Sequence, residues 1–76
     1  MSYAYHRHTK LSADFWEDIF DTYEEAERFA DAEWRHLADS VKAKLDTCEI
    51  LECHLDEYGE IDYNKSNLLV KNYLED

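Results

Sequence analysis

The most regular hydrophobic pattern in the chain lies between Thr22 and Leu45, where apolar residues recur every three or four positions. These residues are Tyr23, Ala26, Ala30, Trp34, Leu37, Val41 and Leu45. The spacing places them on one face and predicts an amphipathic helix. Thr22 and Glu25 form a capping box at its start. Ala38-Asp39-Ser40 offers a second cap, so the pattern fits either one continuous helix or a long helix followed by a short one.

After Asp46 the pattern changes to an alternation of apolar and polar residues, which predicts a strand over Thr47–Leu55. The one glycine of the chain, Gly59, lies in the following segment, 56–60, where a hairpin loop needs a positive φ. Residues 61–63 would then return antiparallel. Residues 68–74 fit a third strand or a terminal helix, and we favour the strand.

Two local patterns compete over the first twenty residues. Leu11, Ser12 and Trp16 fit a hydrophobic staple around an N-cap, which predicts a short helix through Phe20. Residues 15–20 also fit a strand that leads directly into the cap at Thr22. The segment 3–8 fits an edge strand.

Together these elements predict an α+β fold. One long amphipathic helix, continuous or split, packs on a small antiparallel sheet of two to four strands. The chain has 76 residues, no proline and no linker-like stretch, which predicts a single domain over 1–76. The core of so small a domain contributes little stability, and oligomerisation often adds to it.

Charge is the most unusual property of the chain, with 19 acidic against 8 basic residues and a net charge of −11. This balance disfavours direct binding to nucleic acid or to anionic membranes, both of which rely on Lys and Arg. Nine of the carboxylates lie between Asp14 and Glu33 and seven more between Asp46 and Asp62. Such blocks favour attraction of a partner with a basic groove.

The function that we predict from this surface is that of a non-enzymatic binding protein. It would be an inhibitor or regulator whose carboxylates, spaced like DNA phosphates, bind a basic protein that itself binds nucleic acid. Six residues are the expected contacts: Glu24, Glu27, Asp31, Asp56, Glu57 and Glu60. In size and charge the chain resembles the small acidic inhibitors of phages and mobile elements, among them uracil-glycosylase inhibitors, anti-restriction proteins and anti-CRISPR proteins. No motif is part of that likeness.

The alternative is a structural or regulatory homodimer. It would form through an apolar, tyrosine-rich sheet face, and the charge would serve solubility only.

Metal binding and catalysis are not predicted. His6 and His8 would project to one face of a strand, where Cys48, Cys53 or His54 could complete a zinc site. The chain, however, has no C-x-x-C or H-x-x-x-H spacing. Gly59 lies fourth from Asp56, whereas an EF-hand loop needs glycine at its sixth position. The carboxylates lack a cleft that would raise a pKa for acid catalysis. We therefore expect no cofactor, no metal and no enzyme activity.

Residues 1–8 lack the apolar core of a secretory signal, and no apolar run reaches the length of a membrane span, which predicts a cytoplasmic protein, in the host cytoplasm if it is phage-encoded. On one strand, Cys48 and Cys53 would face opposite sides about 16 Å apart and could not pair. Unpaired thiols fit a reducing compartment.

Overall fold

The computed structural model describes residues 1–10 and 15–74. Within these ranges the chain forms β1 (Ser2–Thr9), β2 (Phe15–Phe20), α1 (Tyr23–His36), α2 (Asp39–Lys42), β3 (Leu45–Cys53) and β4 (Leu68–Asn72). All strand pairs are antiparallel, and the order across the sheet is β2-β1-β3-β4. The predicted α+β class, with a helix on an antiparallel sheet of up to four strands, is confirmed, and the sheet is the larger part of the fold.

Strand β1 lies inside the sheet, so the expectation of an edge strand for residues 3–8 is wrong. It pairs with β2 from Tyr3↔Phe20 to His8↔Phe15, and with β3 from Ser2↔Cys53 onward. The physical reason is burial on both faces, because Ala4, Tyr5 and His6 are all buried although they alternate in direction. A strand covered on both faces is most stable with a neighbour on each side.

Of the two patterns for the N-terminal region, the strand over residues 15–20 is confirmed and the helix through Phe20 is wrong. Pairing with β1 holds this segment extended along its whole length. The staple residues Leu11 and Ser12 lie outside the described residues.

The helix is split, and α1, with 14 residues, is of ordinary length and not the long helix that was expected. The hydroxyl of Thr22 accepts a hydrogen bond from the Glu25 backbone N–H at 3.2 Å, which confirms the predicted cap. Leu37 and Ala38 are both extended, and α2 begins at Asp39. This break turns the chain back toward the sheet, so that Leu37 and Leu45 pack in the same core.

The main core lies between α1 and one face of the sheet. Ala26 and Ala30 are fully buried on α1, and their small side chains leave room for the ring of Tyr5. Further aromatic side chains surround this centre: Tyr3, Phe20, Tyr23, Phe29, Trp34 and Tyr73. A smaller cluster of Ala4, Cys53 and Ile61 covers part of the opposite face. Cys48 and Cys53 are buried in different clusters and are not bonded to each other, as predicted.

The segment after β3 forms the predicted tight hairpin, although its pairing is limited to one bridge between Leu55 and Ile61. Gly59 has φ +79°, as the loop prediction requires. The Asp56 carboxylate accepts hydrogen bonds from the backbone N–H groups of Tyr58 and Glu60 and so orders the turn. The strand prediction for residues 68–74 is also confirmed, by β4. Among the described residues, the helices are too short and too polar for a membrane crossing.

Candidate functional site at the acidic end of the sheet

The two ends of the sheet differ in charge, and the topology explains why. At one end β1 begins opposite the last residue of β3, in the pair Ser2↔Cys53, and β2 finishes beside Tyr3. Helix α1 starts at the same end, since the rings of Tyr23 and Tyr3 lie 5.9 Å apart. The hairpin 54–62 also leaves from this end, because it directly follows β3. Two segments far apart in sequence therefore share one end of the sheet, with α1 on one face and the hairpin on the other.

These two segments carry a concentration of carboxylates that we call the acidic end, made of Asp21, Glu24, Glu25, Asp56, Glu57 and Glu60. All of these residues are exposed except Asp56, which is half-buried. Arg28, one turn into α1, and Lys65, in the turn after Asp62, are the basic residues next to them in sequence. Carboxylates therefore outnumber cations at this end, as they do in the chain as a whole.

At the opposite end of the sheet, which we call the distal end, the basic residues are Lys10, Arg35, Lys42 and Lys44. The Lys10 backbone N–H donates to the Lys44 carbonyl at 2.9 Å, which brings two of the four together. Arg35 lies in the last turn of α1 and Lys42 in the last turn of α2. Of the residues that the structure describes, Asp39 and Asp46 are the exposed acids there. Within this part of the chain, basic and acidic side chains are therefore separated along the strand direction.

Three of the predicted contact residues, Glu24, Glu57 and Glu60, lie exposed at the acidic end, and none forms an ion pair within the described residues. Asp56 lies beside Glu57 and Glu60, but one of its carboxylate oxygens is used by the turn. The structure thus brings these four residues to one end of the molecule.

Glu27 and Asp31 lie elsewhere, on the side of α1 that meets β4. The Lys71 ammonium lies 3.3 Å from the Glu27 carboxylate and 3.2 Å from that of Asp31. Tyr23 donates its hydroxyl to Glu27 at 2.6 Å, and Tyr73 donates to Asp31. Their carboxylates are therefore already occupied by contacts that attach β4 to the helix.

This network also shifts proton affinities. The hydrogen bond from Tyr73, with help from Lys71, holds the pKa of Asp31 below its ordinary value. The pKa of Tyr23 is raised chiefly by its bond to Glu27, and that of Tyr73 by burial and by its bond to Asp31. These shifts stabilise the ionised carboxylate and the protonated phenols, as in a structural network.

Sequence reasoning missed the role of Lys71, because a lysine in a short apolar strand gives no sign of partners 40 and 44 residues away. The predicted contact residues also did not include Asp21 and Glu25. The capping box could have identified these two residues, since it places both beside the start of α1 and so beside Glu24.

The histidines share a face as predicted, but they do not form a metal centre with the cysteines. His6 is 5% exposed, and its Nε2 lies 2.8 Å from the Glu17 carboxylate. His8 Nδ1 lies 3.8 Å from the carboxylate of Asp46. Cys48 packs on the helix side of the sheet, away from both imidazoles. Across residues 1–10 and 15–74, no three His, Cys, Asp or Glu side chains come together in a way that would hold a metal ion.

A pocket of about 300 Å³ opens near the distal end, lined by Arg7, Thr9, Phe15, Trp16, Val41 and Leu45. The Arg7 guanidinium lies over the Trp16 ring at 5.5 Å and donates to Glu33 at 3.0 Å. The described lining offers one guanidinium and one hydroxyl, with no carboxylate, imidazole or thiol to act as a general base.

Comparison of the chain with protein-family models, with curated proteins and with solved structures finds no match.

Proposed function

We propose that this chain is a non-enzymatic binding protein whose acidic end contacts a basic protein, one that itself binds nucleic acid, and blocks its access to that nucleic acid. The observation that carries the proposal is the charge separation. Exposed carboxylates from the start of α1 and from the hairpin 54–62 lie at one end, while Lys10, Arg35, Lys42 and Lys44 lie at the other.

Both segments of the acidic end are held in place by local hydrogen bonds. Thr22 caps the first turn of α1, and Asp56 binds two backbone N–H groups of its turn. Carboxylates on ordered segments lose less conformational entropy on binding than carboxylates on a flexible tail. They would attract a basic groove from a distance and then lie along it in place of phosphates.

A capture experiment with charge-reversed variants tests this function. The tagged chain is used to bind proteins from a lysate of the host cell, with duplex DNA as competitor, at about 0.1 M and about 1 M salt, between which the Debye length falls from about 10 to about 3 Å. We expect a nucleic-acid-binding protein that is displaced by DNA and lost at high salt.

The double variant Glu24→Lys/Glu57→Lys tests where the partner binds, with Asp39→Lys/Asp46→Lys as the matched control. Both change the net charge by the same amount, but only the first alters the acidic end. We expect the first to lose the partner and the second to keep it, with circular dichroism confirming that both fold. Equal loss in both would mean that only net charge matters, and no loss in the first would rule out the acidic end.

A further inference from the structure

The two edges of the sheet differ in chemistry. Strand β2 carries Glu17 and Asp18 in its middle, and charges on an edge strand discourage pairing with another chain. On β4, three consecutive apolar residues are exposed, with Leu68 63%, Leu69 47% and Val70 41% accessible. A run of exposed apolar side chains on an edge strand, beside unpaired backbone groups, is a site where another strand adds.

The charge on β4 does not guard this run. Lys71 is its one charged residue, and Glu27 and Asp31 neutralise it. A bulge leaves Val70 without a partner on β3, since Lys71 pairs with Ile50 and Leu69 with Leu51. Because a bulge bends an edge strand, it limits any pairing to the short segment Leu68–Val70.

We propose that two copies of this chain pair through β4, antiparallel and about a two-fold axis at Leu69. Leu69 of one copy would then face Leu69 of the other, and Leu68 would face Val70. The two sheets join into one with the order β2-β1-β3-β4-β4-β3-β1-β2. Six exposed apolar side chains then contact one another across the two strands, and edge backbone groups become hydrogen-bonded.

Net charge opposes self-association, but the charge distribution favours this orientation of a second copy over the parallel one. Antiparallel pairing places the acidic end of each copy on the same side as the distal end of the other, so that like-charged ends are kept apart. Pairing of β4 with β2 of another copy would instead form an open-ended chain and would bring the apolar run against Glu17 and Asp18. The closed β4 pair is therefore the arrangement that chemistry and symmetry both favour.

This inference does not depend on the proposed function, because the acidic end lies beyond the paired segment and stays exposed in the dimer. Added salt should also change the affinity of the dimer and the affinity for a basic partner in opposite directions. Salt screens the repulsion between two chains of charge −11 and should tighten the dimer, whereas it should weaken binding to a basic partner.

Sedimentation velocity over micromolar to millimolar concentrations of the full chain tests the dimer. We expect a monomer–dimer equilibrium that tightens with added salt. Leu69→Lys should raise the dissociation constant by at least about a hundredfold, because each copy loses a buried leucine and two lysines then face each other. The matched control is Val41→Lys, which changes an exposed apolar residue at the distal end and should leave the equilibrium unchanged.

A cysteine cross-link tests the register. With Leu69→Cys, two thiols face each other at the two-fold axis, close enough for a disulfide between copies under mild oxidation. Val41→Cys should give no such product, and the native cysteines are buried. The proposal fails if the chain is a monomer over the whole concentration range, if Leu69→Lys dimerises as well as the original chain, or if the two cysteine variants cross-link equally.

Discussion

Lys71 lies in a short edge strand, yet its side chain contacts both helix α1 and the ring of Tyr73. Its ammonium lies against two carboxylates of α1 and 4.8 Å from the ring centre of Tyr73. The Trp34 ring packs on Tyr73 in turn, and the Lys42 ammonium of α2 lies 4.4 Å from the centre of Trp34. Single residues thus connect both helices to β4.

Asp31 makes this network depend on pH. We expect Asp31→Asn to lower the free energy of unfolding at pH 7 by about 0.5 to 1 kcal/mol, a small effect because the side chain is partly exposed and screened. The pKa of Asp31 is lowered in the folded state. Its contribution is therefore present above the ordinary carboxylate pKa of about 4 and is lost as the pH falls through the lower folded pKa.

Urea unfolding of both proteins at a series of pH values from 7 downward checks this prediction. The difference between them should narrow below pH 4 and then disappear. Glu57→Gln, an equivalent change at an exposed carboxylate, should not lower the free energy of unfolding at any pH. The free energies of unfolding of Asp31→Asn and the original chain could instead differ by the same amount at every pH. That result would mean that the ionised form of Asp31 is not what stabilises the fold.

Among the elements of the fold, the hairpin 54–62 contributes both to the core and to the acidic end that the proposed function uses. Ile61 packs on Ala4 and Cys53 and covers part of the face that α1 leaves open, while the turn presents Glu57 and Glu60 to solvent. One short segment therefore completes a core and contributes to the acidic end. Its geometry depends on Gly59, whose φ is +79°.

We expect Gly59→Ala to lower the free energy of unfolding by about 1 kcal/mol. Apart from Gly59 and its two chain neighbours, no heavy atom of the described residues lies within 4 Å of the position that a Cβ would take. The cost therefore comes from the backbone conformation and not from a clash. Gly59→Asn should cost less, since Asn adopts this conformation more readily. Urea titration of the three proteins measures both effects, and equal costs for Ala and Asn would contradict this explanation.

At the scale of the whole molecule, the excess of negative charge works against compactness. A net charge of −11 on 76 residues produces self-repulsion that folding increases by bringing the charges together. The fold reduces this cost in part through ion pairs such as Arg7 with Glu33 and Lys71 with its two partners. The exposed carboxylates of the acidic end have no such ion pairs among the described residues and still repel one another.

Added sodium chloride should therefore raise the thermal midpoint of unfolding. We expect an increase of several degrees between very low and physiological salt, which corresponds to about 1 kcal/mol for a domain of this size. Glu57→Gln/Glu60→Gln should start with a higher midpoint and respond less to salt. Leu69→Lys, which should not dimerise, separates this effect from pairing of two copies. A midpoint that falls with salt would mean that the ion pairs outweigh the repulsion.

The local features of this protein follow from its amino-acid sequence alone. The cap at Thr22, the helical spacing that follows, the alternation in β3 and the positive φ at Gly59 were all predictable, because each depends on residues a few positions apart. The excess of acidic residues was evident from composition. The four strands fitted strand patterns, although those over residues 15–20 and 68–74 each competed with a helix.

The way in which these features combine depends on packing between distant parts of the chain. This packing put β1 inside the sheet, because Tyr5 packs against both α1 and its neighbour Ile50, and it split the helix where Leu37 and Leu45 had to meet. Glu27 and Asp31 form ion pairs with Lys71, and the exposed carboxylates of two distant segments lie together at the acidic end. These outcomes depend on contacts between residues far apart in the chain, whose energies no local pattern contains.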